Sequence, residues 1–322
     1  MRLFWSPFAL PLTALWRDNS PRFATMTNKV NSTPHTPAQP VPADKPFNQL
    51  TPNEVLQVYL LEGRSGLAKR ATPLDGAKMF LKEGWIRYLP SDPRCIWCAA
   101  PFTGLGAPFM RAMNKDRSRY NPAMCTECES FVREHNAGVE VEMSLIFADI
   151  RGSTTLAEKM DPAEFSQVVN RFYTTASDIL TRERAFIEKL AGDQVSAFLV
   201  PGLAGPQHYK RAIEAAHQIL KATGHEDPAG PWVPVGIGVH SGVAFFGAVG
   251  TAQGLTELTT LGDPPNTAAR LASTAKAGEI LVSDRTAQKA ELDTAGLEKR
   301  SLQLKGKTET VDVWVLTANS TP

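Results

Sequence analysis

An α+β fold with a largely antiparallel sheet is the expectation for this chain, and three observations predict it. From Val139 to Leu316, short β-rich runs alternate with longer stretches of helical periodicity. Some β-rich runs follow one another directly, as Val195–Val200 follows Ala185–Lys189, which favours hairpins over parallel crossovers. Apolar residues fill 43% of the 322 positions, enough for a packed core.

Charge and cysteine content narrow the function classes. The chain has 34 Lys+Arg against 33 Asp+Glu, so it lacks the basic excess of a dedicated nucleic-acid or anionic-membrane binder. Four cysteines are too few for a disulfide-built secreted scaffold. No run reaches the ~20 apolar residues of a membrane span. The stretch Leu3 to Trp16 is apolar but broken by Pro7 and Pro11. Arg2 ahead of it fits a signal peptide, yet Arg17, Asp18 and Asn19 stand where a cleavage site would be. It is taken as a leader, or as sequence upstream of a start at Met26. The expectation is a cytoplasmic chain with no integral membrane segment and no nucleic-acid partner.

In chain order, residues 1–46 hold eight of the 24 prolines, with Ser, Thr and Asn between, and are expected to form a disordered tail. Order is expected from Asn48. Thr51 before Pro52, with Val55, Leu56, Tyr59 and Leu60 at helical spacing, predicts a capped helix ended by Gly63. A second helix is expected from near Pro73 towards Trp85. Residues 91–128 are rich in Gly, Pro and aromatics and hold every cysteine. Strands are then expected at Glu142–Ala148, Ala185–Lys189, Val195–Val200, Pro234–His240, Val243–Ala248 and Leu255–Leu261. Three more follow at Glu279–Val282, Leu297–Leu304 and Val311–Leu316. Helices are expected at Pro162–Thr181, Pro206–Thr223 and Pro264–Ala275. The resulting division is a tail (1–46), a helical and cysteine-bearing module (47–138) and an α+β domain (139–318).

Cys95-x2-Cys98 and Cys125-x2-Cys128 form two knuckles separated by 26 residues. Two such turns facing each other give tetrahedral sulfur coordination. A structural zinc ion is the first choice and an iron–sulfur cluster the alternative; four unligated thiols are the plain reading. Arg111, Lys115, Arg117 and Arg119 in the insert are read as a solvated face.

The run LIFADIRGSTTLAEKM brings an apolar strand to Asp149, after which Gly152, Ser153 and Thr154 turn the chain into a helix. A strand-end carboxylate beside a helix N-terminus suits a cation–phosphate site, although the same residues serve as an ordinary cap. Leu190-Ala191-Gly192-Asp193 forms a second acidic turn between two β-rich runs, able to bring Asp193 beside Asp149.

FADIRGST, EKLAGD, GIGVHSG and LGDPPNTAARL, in this order, resemble the catalytic domain of class III adenylate/guanylate cyclases. The resemblance runs from about Glu140 to Leu316 and includes LKGKTETVDVWVL. It implies a cyclase-type, ferredoxin-like antiparallel sheet flanked by helices, and conversion of ATP to 3′,5′-cyclic AMP and pyrophosphate with two Mg²⁺ or Mn²⁺ ions. Asp149 and Asp193 match the metal aspartates and Ile150 the position whose carbonyl also binds metal. Lys189 matches the base-selecting lysine and Thr259 its partner in adenine recognition. Asn266 matches the residue that orients the ribose, Arg270 the one that stabilises α-phosphate charge, and Lys305 a lysine on the outer phosphates. Guanylate-specific members carry an acidic residue at the Lys189 position, so this lysine argues against GTP. Many members have Asp where this chain has Thr259; threonine resembles a subclass that includes bicarbonate-responsive cyclases. Family sites lie between two catalytic domains, so the resemblance implies a head-to-tail homodimer. The module's cluster is expected to regulate the cyclase through metal or redox state. The rival reading is a catalytically weak nucleotide-binding protein whose main role lies in the cysteine module.

Overall fold

The computed structural model describes residues 39–71, 93–119, 121, 123–250, 256–307 and 309–320. The helix expected from Pro73 to Trp85, and residues 1–38 of the expected tail, lie outside these. Among the described residues, eight strands form one sheet. They are β1 (Gly138–Ile150), β2 (Phe186–Ala191), β3 (Gln194–Leu199), β4 (Val235–Gly250), β5 (Thr256–Leu261), β6 (Ile280–Ser283), β7 (Glu298–Leu302) and β8 (Val311–Leu316). Their order is β2-β3-β1-β4-β6-β8-β7, with β5 paired to β4. Every pairing is antiparallel except β4 with β6, so the expected α+β class with a mainly antiparallel sheet is found.

The two strands expected at Pro234–His240 and Val243–Ala248 are one. Ser241 and Gly242 do not turn, because β1 runs beside them and pairs Ser144 with Ser241 and Met143 with Gly242. A strand as long as β1 removes the need for a hairpin there.

The sheet separates two apolar layers by simple alternation. Ile146, Ala148 and Ile150 of β1 join Val235, Ile237 and Val239 of β4 on one face. That face is covered by α5 (Pro162–Arg182) through Phe172, Ala176 and Ile179, and by α7 (His208–Ala222) through Ile213, Ala216 and Ile219. Val139, Val141, Met143, Leu145 and Phe147 point the other way, with Phe186, Phe198 and Phe246. Against this second face lie α8 (Asp263–Thr274) and the cysteine module. Glycines on β4 let α8 lie close: a Cβ on Gly238 would stand 2.4 Å from both Ala268 O and Ala272 N.

In the module, α1 (Pro52–Arg70) starts at Thr51 with the expected cap, a reciprocal capping box with Glu54. Gly63 breaks the helical backbone at φ +67°, but the helix resumes to Arg70, whose guanidinium binds the Glu62 carboxylate and Gly66 O. There α1 crosses α6 (Pro201–Ala204) so closely that a Cβ on Gly202 would lie 2.1 Å from Tyr59 O. Packing also reaches upstream of Asn48: Val41 is buried and its carbonyl accepts from Arg70 Nη2 at 3.1 Å. The short helix α2 (Ala107–Ala112) belongs to the cysteine insert, and α3 (Thr126–Glu134) leads into β1. The remaining short helices are α4 (Ser153–Lys159) and α9 (Asp284–Lys289). No helix among the described residues is long and apolar enough to cross a membrane.

Candidate active site

The two aspartates singled out in the sequence meet where β1 ends. Asp149 pairs in register with Gln194, the first residue of β3, and Ile150 N–H donates to Asp193 O at 3.1 Å. The β2–β3 loop is the two residues Gly192 and Asp193, with Gly192 at φ +63°, a conformation glycine adopts without Cβ strain. Tyr173 of α5 steadies this tip by donating to Gly192 O at 2.8 Å. Burial, and then the nearby Asp193 charge, push the Tyr173 phenol above its ordinary pKa.

Arg151, which sequence reasoning passed over, forms an ion pair with the Asp149 carboxylate and donates from Nη1 to Ser273 O at 3.0 Å. It thereby ties the end of α8 to the end of β1. Burial draws its guanidinium below the usual arginine value, opposed by Asp193. The two carboxylates and the Ile150 carbonyl are hard-oxygen donors of the kind Mg²⁺ or Mn²⁺ takes.

Lys189 and Thr259 lie on two strands joined through acidic neighbours. Lys189 Nζ is 3.0 Å from Glu257 Oε1, a pair more than half exposed on both sides and therefore weak. Glu188 Oε1 accepts from Thr259 Oγ1 at 2.9 Å, Thr260 N–H at 2.6 Å and Thr260 Oγ1 at 2.8 Å. Neither acid was singled out in the sequence: the partners of Glu188 are 71 and 72 residues away, and Glu257 meets Lys189 only across two strands.

Asn266 and Arg270 sit one turn apart on α8. Asn266 Nδ2 donates to Gly262 O at 2.9 Å, which fixes its amide at the start of the helix. Arg270 is half-buried against the loop after β7: a Cβ on Gly306 would lie 3.3 Å from its Nη2. Lys305 is exposed, whereas its neighbour Lys307 binds Asp263 Oδ2 at 2.7 Å.

The second group is the cysteine cluster. Cys95, Cys98, Cys125 and Cys128 are buried, and their sulfurs all lie within 4.8 Å of one another. Tetrahedral zinc with Zn–S of about 2.3 Å needs sulfurs about 3.8 Å apart; Cys98 and Cys125 are at 3.6 Å. Burial opposes ionisation of Cys95, but thiol donation from Cys125, Cys128 and Cys98 outweighs it and brings its pKa well down. Cys128 is pushed well up by hydrogen bonding to Cys125, Cys95 and Cys98, and by burial. Cys95 is thus tolerated as a thiolate while Cys125 and Cys128 resist ionisation, so four thiolates together require a cation. The donor set fits one metal centre.

The module around this cluster is hydrogen-bonded to β2 and β5. Asn121, four residues before Cys125, donates from Nδ2 to Ile187 O on β2 at 2.6 Å. Arg133 of α3 donates to Thr256 O at the start of β5 and pairs with Glu129 Oε1 at 2.8 Å. Lys189 and Thr259 follow on those same two strands.

A family model described as the Adenylate and Guanylate cyclase catalytic domain matches residues 137–318. An adenylate cyclase of Mycobacterium tuberculosis is 28% identical over 169 residues, which cover 52% of this chain and 37% of that protein. One of Anabaena cylindrica is 28% identical over 190 residues, covering 55% and 37%. A protein of M. tuberculosis described as uncharacterized is 31% identical over 172 residues, covering 52% and 30%. The chain therefore spans only 30–37% of the length of these relatives. Among solved structures, the guanylyl cyclase Cya2 aligns at TM-score 0.50 and 22% identity, covering 55% of this chain and 92% of that one. The adenylyl cyclase CyaB from P. aeruginosa aligns at TM-score 0.50 and 22% identity, covering 57% and 97%, and both share the fold described above. With the family model matching more than half of its residues, the chain belongs to the adenylate and guanylate cyclase catalytic domain family, as the motifs from Asp149 to Arg270 imply.

Proposed function

We propose that this protein is an adenylate cyclase, converting ATP to 3′,5′-cyclic AMP and pyrophosphate, with a metal-bound cysteine module that regulates it. The meeting of Asp149 and Asp193 at the end of β1 carries the reading. Two divalent cations bound there would supply Lewis acidity at the ribose 3′-hydroxyl and the triphosphate. Asp149, Asp193 and the Ile150 carbonyl would hold them.

The chain's other residues have complementary tasks. Arg270 spreads its charge over the oxygens of the α-phosphate as the 3′-oxygen displaces pyrophosphate. Asn266, its amide fixed by Gly262 O, orients the ribose. Lys305 contacts the outer phosphates. Lys189 donates to an acceptor nitrogen of the adenine ring, and Thr259 accepts from the exocyclic amine.

The site forms between two copies arranged head to tail. One copy contributes Asp149 and Asp193, the other Lys189, Thr259, Asn266 and Arg270. Exposed Leu190 at the β2–β3 tip, with Val249 and Leu261 at the ends of β4 and β5, supports a covered face in the assembled protein. The cysteine centre is proposed to hold zinc. The hydrogen bonds from Asn121 to β2 and from Arg133 to β5 support its regulatory role.

The test measures cyclic AMP and cyclic GMP formed from ATP and GTP with Mn²⁺, with elemental analysis of the same preparation. Cyclic AMP as the main product, with one zinc per chain, is expected. No cyclic nucleotide under any metal would overturn the enzyme reading and leave the cysteine module as the principal function.

A further inference from the structure

Glu188 stands where the β2–β3 register shifts, between Ile187 and Lys189, and its carboxylate reaches across to β5. There one oxygen, Oε1, accepts three hydrogen bonds, from Thr259 Oγ1, Thr260 N–H and Thr260 Oγ1. A threonine hydroxyl has one proton and two lone pairs, so it can offer a ligand either role. The two purines differ at this choice: adenine carries a donor amine at position 6, guanine an acceptor oxygen. A carboxylate accepts only, so a hydroxyl that donates to it has no proton left for the ligand.

We propose that Glu188 is a positioning residue that sets purine specificity: by accepting the Thr259 proton, it turns Thr259 into a fixed acceptor for the adenine amine. Guanine O6 would then face lone pairs where it needs a donor. The inference rests on the adenylate-cyclase reading and assigns a residue beyond Lys189 and Thr259 to base selection. It also gives Thr259, with Glu188 behind it, the acceptor character that an aspartate would have on its own.

The test compares ATP with GTP, by kcat/KM and by competition against a fluorescent ATP analogue, in the full chain. Glu188→Ala frees the Thr259 proton, and the ATP:GTP ratio should fall by about tenfold, the worth of one hydrogen bond redirected. The change should lie mainly in improved GTP binding rather than in kcat for ATP. Adding Thr259→Asp to Glu188→Ala restores an acceptor that needs no partner, so the preference for ATP should return. Glu188→Gln preserves the size of the side chain and keeps a carbonyl oxygen that can accept from the same three donors, so the preference for ATP should be largely retained.

A strut that only joins β2 to β5 would weaken both nucleotides equally and would not be rescued by Thr259→Asp. An unchanged ratio in Glu188→Ala, at an unchanged melting temperature, overturns the proposal. A wild-type chain that makes no cyclic AMP would instead sink the adenylate-cyclase reading. The binding competition would still report whether Glu188 sets purine choice.

Discussion

Ile150 N–H donates to Asp193 O at 3.1 Å, so the seam that holds the two aspartates together is made of main chain. The strand ends therefore keep this link when a carboxylate becomes an amide, and Asp149→Asn still offers Arg151 an acceptor oxygen. Asp149→Asn and Asp193→Asn should each lower kcat by on the order of a hundredfold or more through lost cation binding. The melting temperature should stay within a few degrees of wild type. A large drop in stability with either variant would show that the carboxylates also hold the fold.

Mixing subunits tests the shared site. In a heterodimer of Asp149→Ala and Arg270→Ala chains, one of the two sites regains an intact aspartate pair and an intact arginine. Random pairing gives about half heterodimers, hence about a quarter of wild-type activity. Sedimentation confirms that the mixture dimerises. Activity no greater than the sum of the two variants alone would mean that each site lies within one chain.

The cysteine centre and its link to the sheet should separate by mutation. Cys125→Ser removes a buried ligand; metal content should fall, with stability lost on the order of several kcal/mol. Asn121→Ala breaks the 2.6 Å bond to Ile187 O together with the 3.0 Å bond that Ala123 N–H donates to Asn121 Oδ1, and leaves all four thiols in place. It should retain the metal, measured by elemental analysis, while KM for ATP rises severalfold. Equal KM in Asn121→Ala and wild type would detach the module from nucleotide binding.

Two histidines make the fold sensitive to acid. His208 and His240 are held neutral chiefly by burial, each with its pKa lowered to about 4. Glu142 opposes the shift at His208 while Lys289 adds to it; Lys307 and Arg285 add to it at His240, where Asp263 opposes. Between the unfolded value of about 6.5 and the folded value, only the unfolded chain binds these protons. Stability should therefore be complete above about pH 6.5 and fall as the pH drops towards 4, by on the order of 2 kcal/mol per histidine. Denaturant midpoints at pH 7 and pH 5 measure this, and imidazole NMR shifts that titrate near 6.5 in the folded chain would refute it.

Local signals in the sequence located most of the fold. Asp149 could be found because an apolar run and a Gly-Ser-Thr turn flank it, and Asp193 because Gly192 precedes it in a tight loop. Asn266 and Arg270 follow from helical spacing, and the cysteines from their paired knuckles. What escaped depends on tertiary pairing. Ser241-Gly242 has the composition of a turn and stays extended only because β1 lies alongside. Glu188 and Asn121 look like ordinary polar residues until folding brings them to partners 71 and 66 positions away. Arg151 was overlooked because its role depends on Ser273, at the far end of α8.

Where α1 crosses α6, Gly202 meets the Tyr59 carbonyl with no side chain between them. The apolar layer that includes Leu56 and Leu60 continues unbroken into Val139, Met143, Phe186 and Phe246. The boundary near residue 138 is thus a change of task within one folding unit. A fragment beginning at Val139 would keep every proposed catalytic residue, yet it would expose to water the part of that sheet face on which the module packs and would tend to aggregate.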